Sequence, residues 1–250
     1  MSEVLTFAAG GYRYLKGVFQ YSAAIAAEPG FEIERARFRR LVPLVEGFSA
    51  IEVHLRTLGR PLTAFCACEL RSPAPFTEAG FEAFNRQYVT PLTQWGIFKD
   101  GLNPVARSNV CPEIGAPSEP SFYAFSYTLP AAGVARKSFI VAGGAEAPEG
   151  KSNYRDHIIR RGDISPDGLR AKARYVLGEV GRRMRALDFE WKDITHTHLY
   201  TVHDVHPLLR EEIVCRGAAP GGLTWHYARP PVLDLEFEMD VRGVSRELVI

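Results

Sequence analysis

The sequence predicts an α+β protein made of two tandem halves, each a mixed β-sheet packed on two helices. Three observations point there. Apolar stripes at helical spacing occur twice in each half, short strand-like runs fall between them, and the order β-β-α-β-α-β-β is met twice along the 250 residues.

In the first half, GYRYLKGVFQYSAAIA reads as a strand pair. PLVEGFSAIEVHLRTLG then places Leu44, Phe48, Ile51, Leu55 and Leu58 at 4-3-4-3 spacing, a helix closed by Gly59. A strand over Leu62–Leu70 follows, its alternation setting Leu62, Ala64, Cys66, Cys68 and Leu70 on one face. After Pro73 and Pro75, Thr77 can cap a second helix with the stripe Phe81, Phe84, Tyr88, Leu92 and Trp95. Strands around Ala106–Val110 and Ser121–Leu129 complete the half.

The turn-rich PAAGVA places a linker near 130–136, and KSFIVAGGAEA opens the second half as a strand. A long loop through Pro148, Gly150 and Gly162 leads to Ser165-Pro166, an N-cap and first-turn pair. The helix after it turns Leu169, Ala173, Val176, Leu177, Val180, Met184 and Leu187 inward. A strand around His196–Thr201, a helix over Leu208–Val214 and strands near Leu223–Tyr227 and Val232–Val241 follow.

Composition narrows the class. A content of 46% hydrophobic and 11% aromatic residues can fill a core in a soluble protein. Thirty basic against 29 acidic residues give a net charge of +1, and only short Arg-rich pieces, Arg35–Arg40 and Arg182–Arg185, stand out, read as surface. That leaves little electrostatic footprint for nucleic acid. No signal-like or membrane-length apolar run is present, so the expected location is the cytoplasm, without a membrane partner. The four cysteines, Cys66, Cys68, Cys111 and Cys215, form no disulfide framework, and the first two read as small buried hydrophobes.

ITHTHLYTVHDVHP holds four of the seven histidines. His196 and His198, two apart on a strand, share a face; His203 and His206 flank Asp204 at a turn. Imidazoles so placed could ligate Zn²⁺, but no HExxH or CxxC accompanies them. The preferred reading is hydrogen-bonded histidines at a domain or subunit contact, with no metal.

FEAFNRQYVTPLTQWG, then NPVARSNVCPEI and SFYAFSYTL, resemble the C-terminal part of the YjgF/RidA family, which shows an Asn-x-x-Tyr helix, Pro-Ala-Arg-Ser and a strand. SFIVAGGAEAPEG is similar to that family's strand ending in Ser-Gly-Gln, and VLDLEFEMDVRG to its closing Glu-Ile-Glu-Ala strand. The resemblance implies two chorismate mutase-like domains, a degenerate one over 1–130 carrying the arginine motif and a second over 136–250. It also implies domains grouped by threes in barrels with clefts between neighbours, hence a homotrimer or a multiple of it. Members hydrolyse enamines and imines such as 2-aminoacrylate without a cofactor, and a related branch deaminates 2-aminomuconates in aromatic degradation.

Carried onto this chain, the resemblance makes Arg107 the binding group for a small-molecule carboxylate, for which a planar two-point guanidinium is suited. It makes Asn85, Ser108, Asn109 and Gly143 substrate-binding candidates, and Glu236 the carboxylate that positions water. The closing strand LDLEFEMDV sends Asp234, Glu236, Glu238 and Asp240 to one face, which must be solvated, meet arginines or line a cleft. Two departures stand out. FYAFSYTL in the first half has no glutamate, and GGLTW in the second stands where the arginine motif belongs. Either one composite cleft survives, or Tyr123, Tyr127, His226 or Tyr227 replace missing groups, or hydrolysis is lost. The family's own arginine and glutamate share a domain, which argues against a simple split. The leading expectation is a hydrolytic deaminase of enamine or imine carboxylates. A non-catalytic ligand-binding protein comes second and a ribonuclease third, the last disfavoured by the near-zero charge; ammonia release from enamino acids separates the first from both.

Overall fold

The computed structural model describes residues 3–133 and 137–250, so 134–136 of the expected linker lie outside the described residues. In chain order the elements are β1 (Val4–Phe7), β2 (Tyr12–Leu15), β3 (Ala24–Ala27), β4 (Phe31–Pro43), α1 (Leu44–Thr57), β5 (Phe65–Arg71), α2 (Glu78–Gln94), β6 (Ala106–Pro112) and β7 (Ser121–Pro130). They continue as β8 (Phe139–Ala145), α3 (Pro166–Ala186), β9 (His196–Tyr200), α4 (His206–Leu208), β10 (Leu223–His226), β11 (Ala228–Arg229), β12 (Glu238–Gly243) and β13 (Arg246–Val249).

Two mixed sheets result, of order β1-β2-β3-β8-β12-β9-β10 and β11-β6-β5-β7-β4-β13. This is the expected α+β architecture, each sheet backed by two helices: α3 and α4 pack in the core with Val141, Leu199 and Met239, whereas α1 and α2 pack with Phe65, Leu70 and Phe125. Chain order and sheet membership differ at both ends. The N-terminal strand β3 pairs with β8, and the C-terminal β13 pairs with β4. The halves are thereby laced together, and β8 passes close to β6, near enough that Ser108 lies against Gly143.

Helix starts follow the sequence signals. Thr77 Oγ1 accepts the Gly80 N–H at 3.1 Å, and Ser165 Oγ accepts the Gly168 N–H at 3.1 Å with Pro166 in the first turn. Gly59, at φ 63°, ends the first helix as expected, leaving Leu58 beyond it and exposed. The Leu208–Val214 helix is a short α turn, α4, running into a π-helical turn over Leu209–Val214.

Three expectations fail for tertiary reasons. β5 begins at Phe65 after a tight turn over Leu62–Ala64, and an irregularity in its pairing between Phe65 and Ala67 breaks the alternation, so that Cys66 packs with Tyr12 while Cys68 and Leu70 face the helices. Arg35 is not on the surface: β4 runs inside the sheet and buries it against Glu69, with Nε to Oε1 at 2.6 Å and Nη2 to Oε2 at 2.9 Å. Arg183 is likewise buried, between Glu179 and Glu149. An arginine-rich run says nothing of which members meet carboxylates from distant strands.

Candidate active site

A cleft between the two sheets encloses about 440 Å³ of space continuous with solvent, lined among others by Arg107, Asn109, Gly143, Glu149, Tyr21 and Glu238. Four distant stretches therefore meet here, β6, β8 with the loop after it, the approach to β3, and β12.

Arg107 stands on β6 opposite Cys68, turned toward α2. It is 3% exposed, yet Nη1 and Nη2 have no hydrogen-bond partner, and no ion pair reaches it among the described residues. Aromatic rings surround the guanidinium, that of Tyr88 at 4.7 Å and those of Tyr21, Phe81 and Phe84 between 5.3 and 5.7 Å. Rings attract a cation but cannot satisfy its N–H groups. Free guanidinium donors at a cleft can hold an anion, and a carboxylate matches the geometry of the fork.

Glu238 is the acid brought to the same cleft. It enters as the first residue of β12, which pairs with β8 and β9, and its Oε1 lies against Gly143, where any Cβ would collide with it. The carboxyl is 4% exposed and makes no hydrogen bond or ion pair among the described residues. Burial pushes it well above the usual carboxylate range; the charges of Asp240 and Glu146 push the same way, and Arg71 and Arg107 oppose them without prevailing. Its surroundings favour the protonated form, beside a cation without an ion pair among the described residues. The backbone before it is fixed by Glu146, whose carboxylate accepts the N–H groups of Glu236 at 2.6 Å and Phe237 at 3.1 Å while paired with the buried Lys172 at 3.3 Å.

The second half's loop closes the cleft on another side. Glu149 Oε1 accepts the Tyr21 hydroxyl at 2.8 Å and Arg183 Nη2 at 2.9 Å. Tyr154 lines the cleft too, its loop held to α2 by Glu78, which accepts the N–H groups of Tyr154 at 2.9 Å and Arg155 at 3.1 Å.

Of the residues expected from sequence, Arg107, Asn109 and Gly143 are brought together. Asn109 Oδ1 accepts the Ser72 hydroxyl at 2.9 Å, leaving its Nδ2 unpartnered. Asn85 lines the adjoining opening with Phe81 and Tyr154, its Oδ1 unpartnered. Ser108 turns to the other face of β6, where its hydroxyl donates to Asp240 at 2.6 Å. Glu236 lies outside the cleft, 2.7 Å from His203 Nε2 and 3.6 Å from Arg229. None of Tyr123, Tyr127, His226 and Tyr227 lines the cleft: Tyr123 lies under Arg71, Tyr127 donates to Glu34, His226 stacks on Tyr200, and Tyr227 is exposed.

The four acids of the closing strand part ways: Asp234 is exposed with Arg161 at 3.5 Å, Glu236 is ion-paired, Glu238 lies in the cleft, and Asp240 sits in a buried polar layer between the sheets. There Tyr200 donates to Asp240 at 2.7 Å and His198 Nδ1 lies 3.2 Å away; burial pushes Asp240 up, but His198 and Arg242 together hold the carboxyl below its usual range. His196 and His198 share a face as their spacing requires, with His196 at 2.8 Å from Thr224. His206 is an exposed partner of Asp204 at 2.6 Å.

A family model described as 2-aminomuconate deaminase CnbZ matches residues 4–248. The chain belongs to that family. It is 53% identical over 251 residues, the whole of both chains, to a Comamonas testosteroni protein named 2-amino-5-chloromuconate deaminase. Among solved structures, a chorismatase shares the fold at TM-score 0.54 and 10% identity, over 92% of this chain and 79% of that one. The YjgF gene product of E. coli aligns at TM-score 0.32 and 18% identity over 44% of this chain and 81% of its own. The expected resemblance and tandem fold are thus borne out. Among the described residues, no helix is long and apolar enough to cross a membrane.

Arg107 of the first half and Glu238 of the second line one cleft within the chain, whereas the split considered from sequence paired Arg107 with Glu236. The resemblance assigned the water-positioning role to Glu236, whereas Glu238, of the same strand parity, is the one that lines the cleft. Tyr21, Glu149 and Tyr154 carried no sequence signal, because only sheet packing brings them to Arg107.

Proposed function

We propose that this chain is a hydrolytic, cofactor-free deaminase of 2-aminomuconate-type dicarboxylates, releasing the oxo acid and ammonia. The observation that carries the reading is the buried, unpartnered guanidinium of Arg107 sharing one cleft with the buried carboxyl of Glu238. The family and the named relative supply the substrate class.

In this reading Arg107 grips the carboxylate next to the amino carbon. Glu238 gives its proton to the enamine carbon as the nitrogen lone pair forms the iminium bond, and the resulting carboxylate has the basicity to take a proton from water. Water oxygen bonds to the iminium carbon while the C=N pair returns to nitrogen. Glu238 then passes the acquired proton to nitrogen and takes the hydroxyl proton as the C–N bond breaks. Enamine and water have become oxo acid and ammonia, and Glu238 is neutral again.

Assembly of whole chains by threes, inside the cytoplasm, belongs to the same proposal; a monomer in light scattering at micromolar concentration would contradict it. The deciding experiment is ammonia release from 2-aminomuconate by wild type, Arg107→Lys and Glu238→Gln. We expect turnover by wild type and a roughly 10- to 150-fold loss of kcat/KM for Arg107→Lys, which forfeits the two-point contact. Glu238→Gln should lose turnover with little change in ligand affinity. Wild-type protein that binds muconates but releases no ammonia would make this a binding protein instead.

A further inference from the structure

The cleft holds a second carboxylate, and its surroundings are unlike those of Glu238. Glu149 follows β8 and reaches back over Tyr21. Both of its hydrogen bonds, from the Tyr21 hydroxyl at 2.8 Å and from Arg183 Nη2 at 2.9 Å, end on Oε1. Oε2 receives none among the described residues, although the side chain is only 19% exposed and lines the cleft. Arg183 fixes the carboxylate in place and is itself anchored by Glu179 at 3.2 Å and the Ala142 carbonyl at 3.3 Å. One wall therefore presents an anion with a free acceptor oxygen, and another presents the free donors of Arg107.

We infer that Glu149 is the receptor for the substrate's nitrogen, its Oε2 accepting an N–H of the iminium and of the departing ammonia while Arg183 and Tyr21 fix the carboxylate. The inference rests on the deaminase reading and gives it a polarity. An α-amino or α-imino acid carries a negative and a positive group on the same carbon, and Arg107 and Glu149 are a complementary pair for them. Stabilising the positive nitrogen favours the protonation that turns the enamine into the electrophilic iminium, so the contact strengthens as charge develops in that step, as a group contributing to rate must. Tyr21 keeps its proton, since burial and then the charge of Glu149 push its hydroxyl well above the usual range. It orients the carboxylate and does not compete for the ligand's proton.

The test compares two six-carbon dicarboxylates that differ only in nitrogen, adipate and 2-aminoadipate, by calorimetric titration. Wild type should prefer the amino compound by roughly 10-fold or more, the scale of one charge-assisted hydrogen bond. Glu149→Gln should erase that preference without weakening adipate, whereas Arg107→Met should weaken both ligands alike. Arg183 keeps Glu179 in Glu149→Gln, so the variant should fold, which a thermal melt checks. Glu149→Asp, with the charge one methylene back, should restore part of the preference. An unchanged preference in Glu149→Gln, equal weakening of both ligands, or no recovery with Asp would each overturn the assignment and spare the deaminase reading. Wild-type protein that binds neither ligand overturns both.

Discussion

Replacing Arg107 by Met should make the protein more stable and nearly inactive, and the structure sets the sizes. The guanidinium is 3% exposed with Nη1 and Nη2 both unpartnered, and a buried donor left without an acceptor costs about 1–3 kcal/mol, so two cost roughly 2–6 kcal/mol. Against this stands the attraction of the rings, nearest Tyr88 at 4.7 Å, about 2 kcal/mol when desolvated. Met keeps much of the apolar stem against Phe84 and Tyr88 and buries no charge. The balance is a gain of about 0–4 kcal/mol, and its midpoint of about 2 kcal/mol corresponds to roughly 4–8 °C in Tm for a chain of this size. The same change removes a two-point contact with the substrate carboxylate worth about 3–6 kcal/mol, a loss of roughly 10²- to 10⁴-fold in kcat/KM. Thermal melts with and without adipate, run beside steady-state ammonia release, read both effects. Adipate should raise the Tm of wild type and leave that of the variant unmoved. A variant that melts several degrees lower yet turns over normally would show that the guanidinium serves the core and that the anion-receptor argument is wrong.

Glu238 binds a proton in the folded chain that the unfolded chain releases above the ordinary carboxylate range, so it should cost stability progressively as pH rises from that range until the folded carboxyl ionises. Glu238→Gln should therefore unfold at higher denaturant than wild type at pH 8 and match it near pH 4; equal midpoints at both would refute the neutral acid. His196 and His226 behave oppositely. Burial, then Arg242 for the first and Arg71 for the second, holds them down to about 4 and about 3, so both stay neutral when folded and stability should drop as pH falls from the ordinary histidine value toward those figures. A His196→Gln, His226→Gln double variant should flatten that limb of the stability curve. Lys172→Met leaves Glu146 buried without its cation and should cost about 3–5 kcal/mol in urea unfolding; a neutral result would mean that the pair does not hold the backbone entering β12.

Periodicity and caps are local properties, and they made much of this protein legible in advance. The stripes of α1, α2 and α3, the caps Thr77 and Ser165, the closing Gly59 and the shared face of His196 and His198 all depend on residues within a few positions of one another. The same locality made the run around Arg107 recognisable by its neighbours, and placed Asn109 beside it. Where a strand goes was another matter. β3 pairing with β8 and β13 with β4 are contacts across more than a hundred residues, set by which apolar faces cover one another and not by any pattern within the strand. That packing put Glu238 rather than Glu236 against Gly143, turned Ser108 away to Asp240, and carried Glu149 over Tyr21. It also decided which charges stay bare. Arg35 and Arg107 are both buried strand arginines, yet one meets Glu69 and the other meets only rings. A side chain's type is written in the sequence, but whether its charge is satisfied depends on partners that only the folded chain brings within reach.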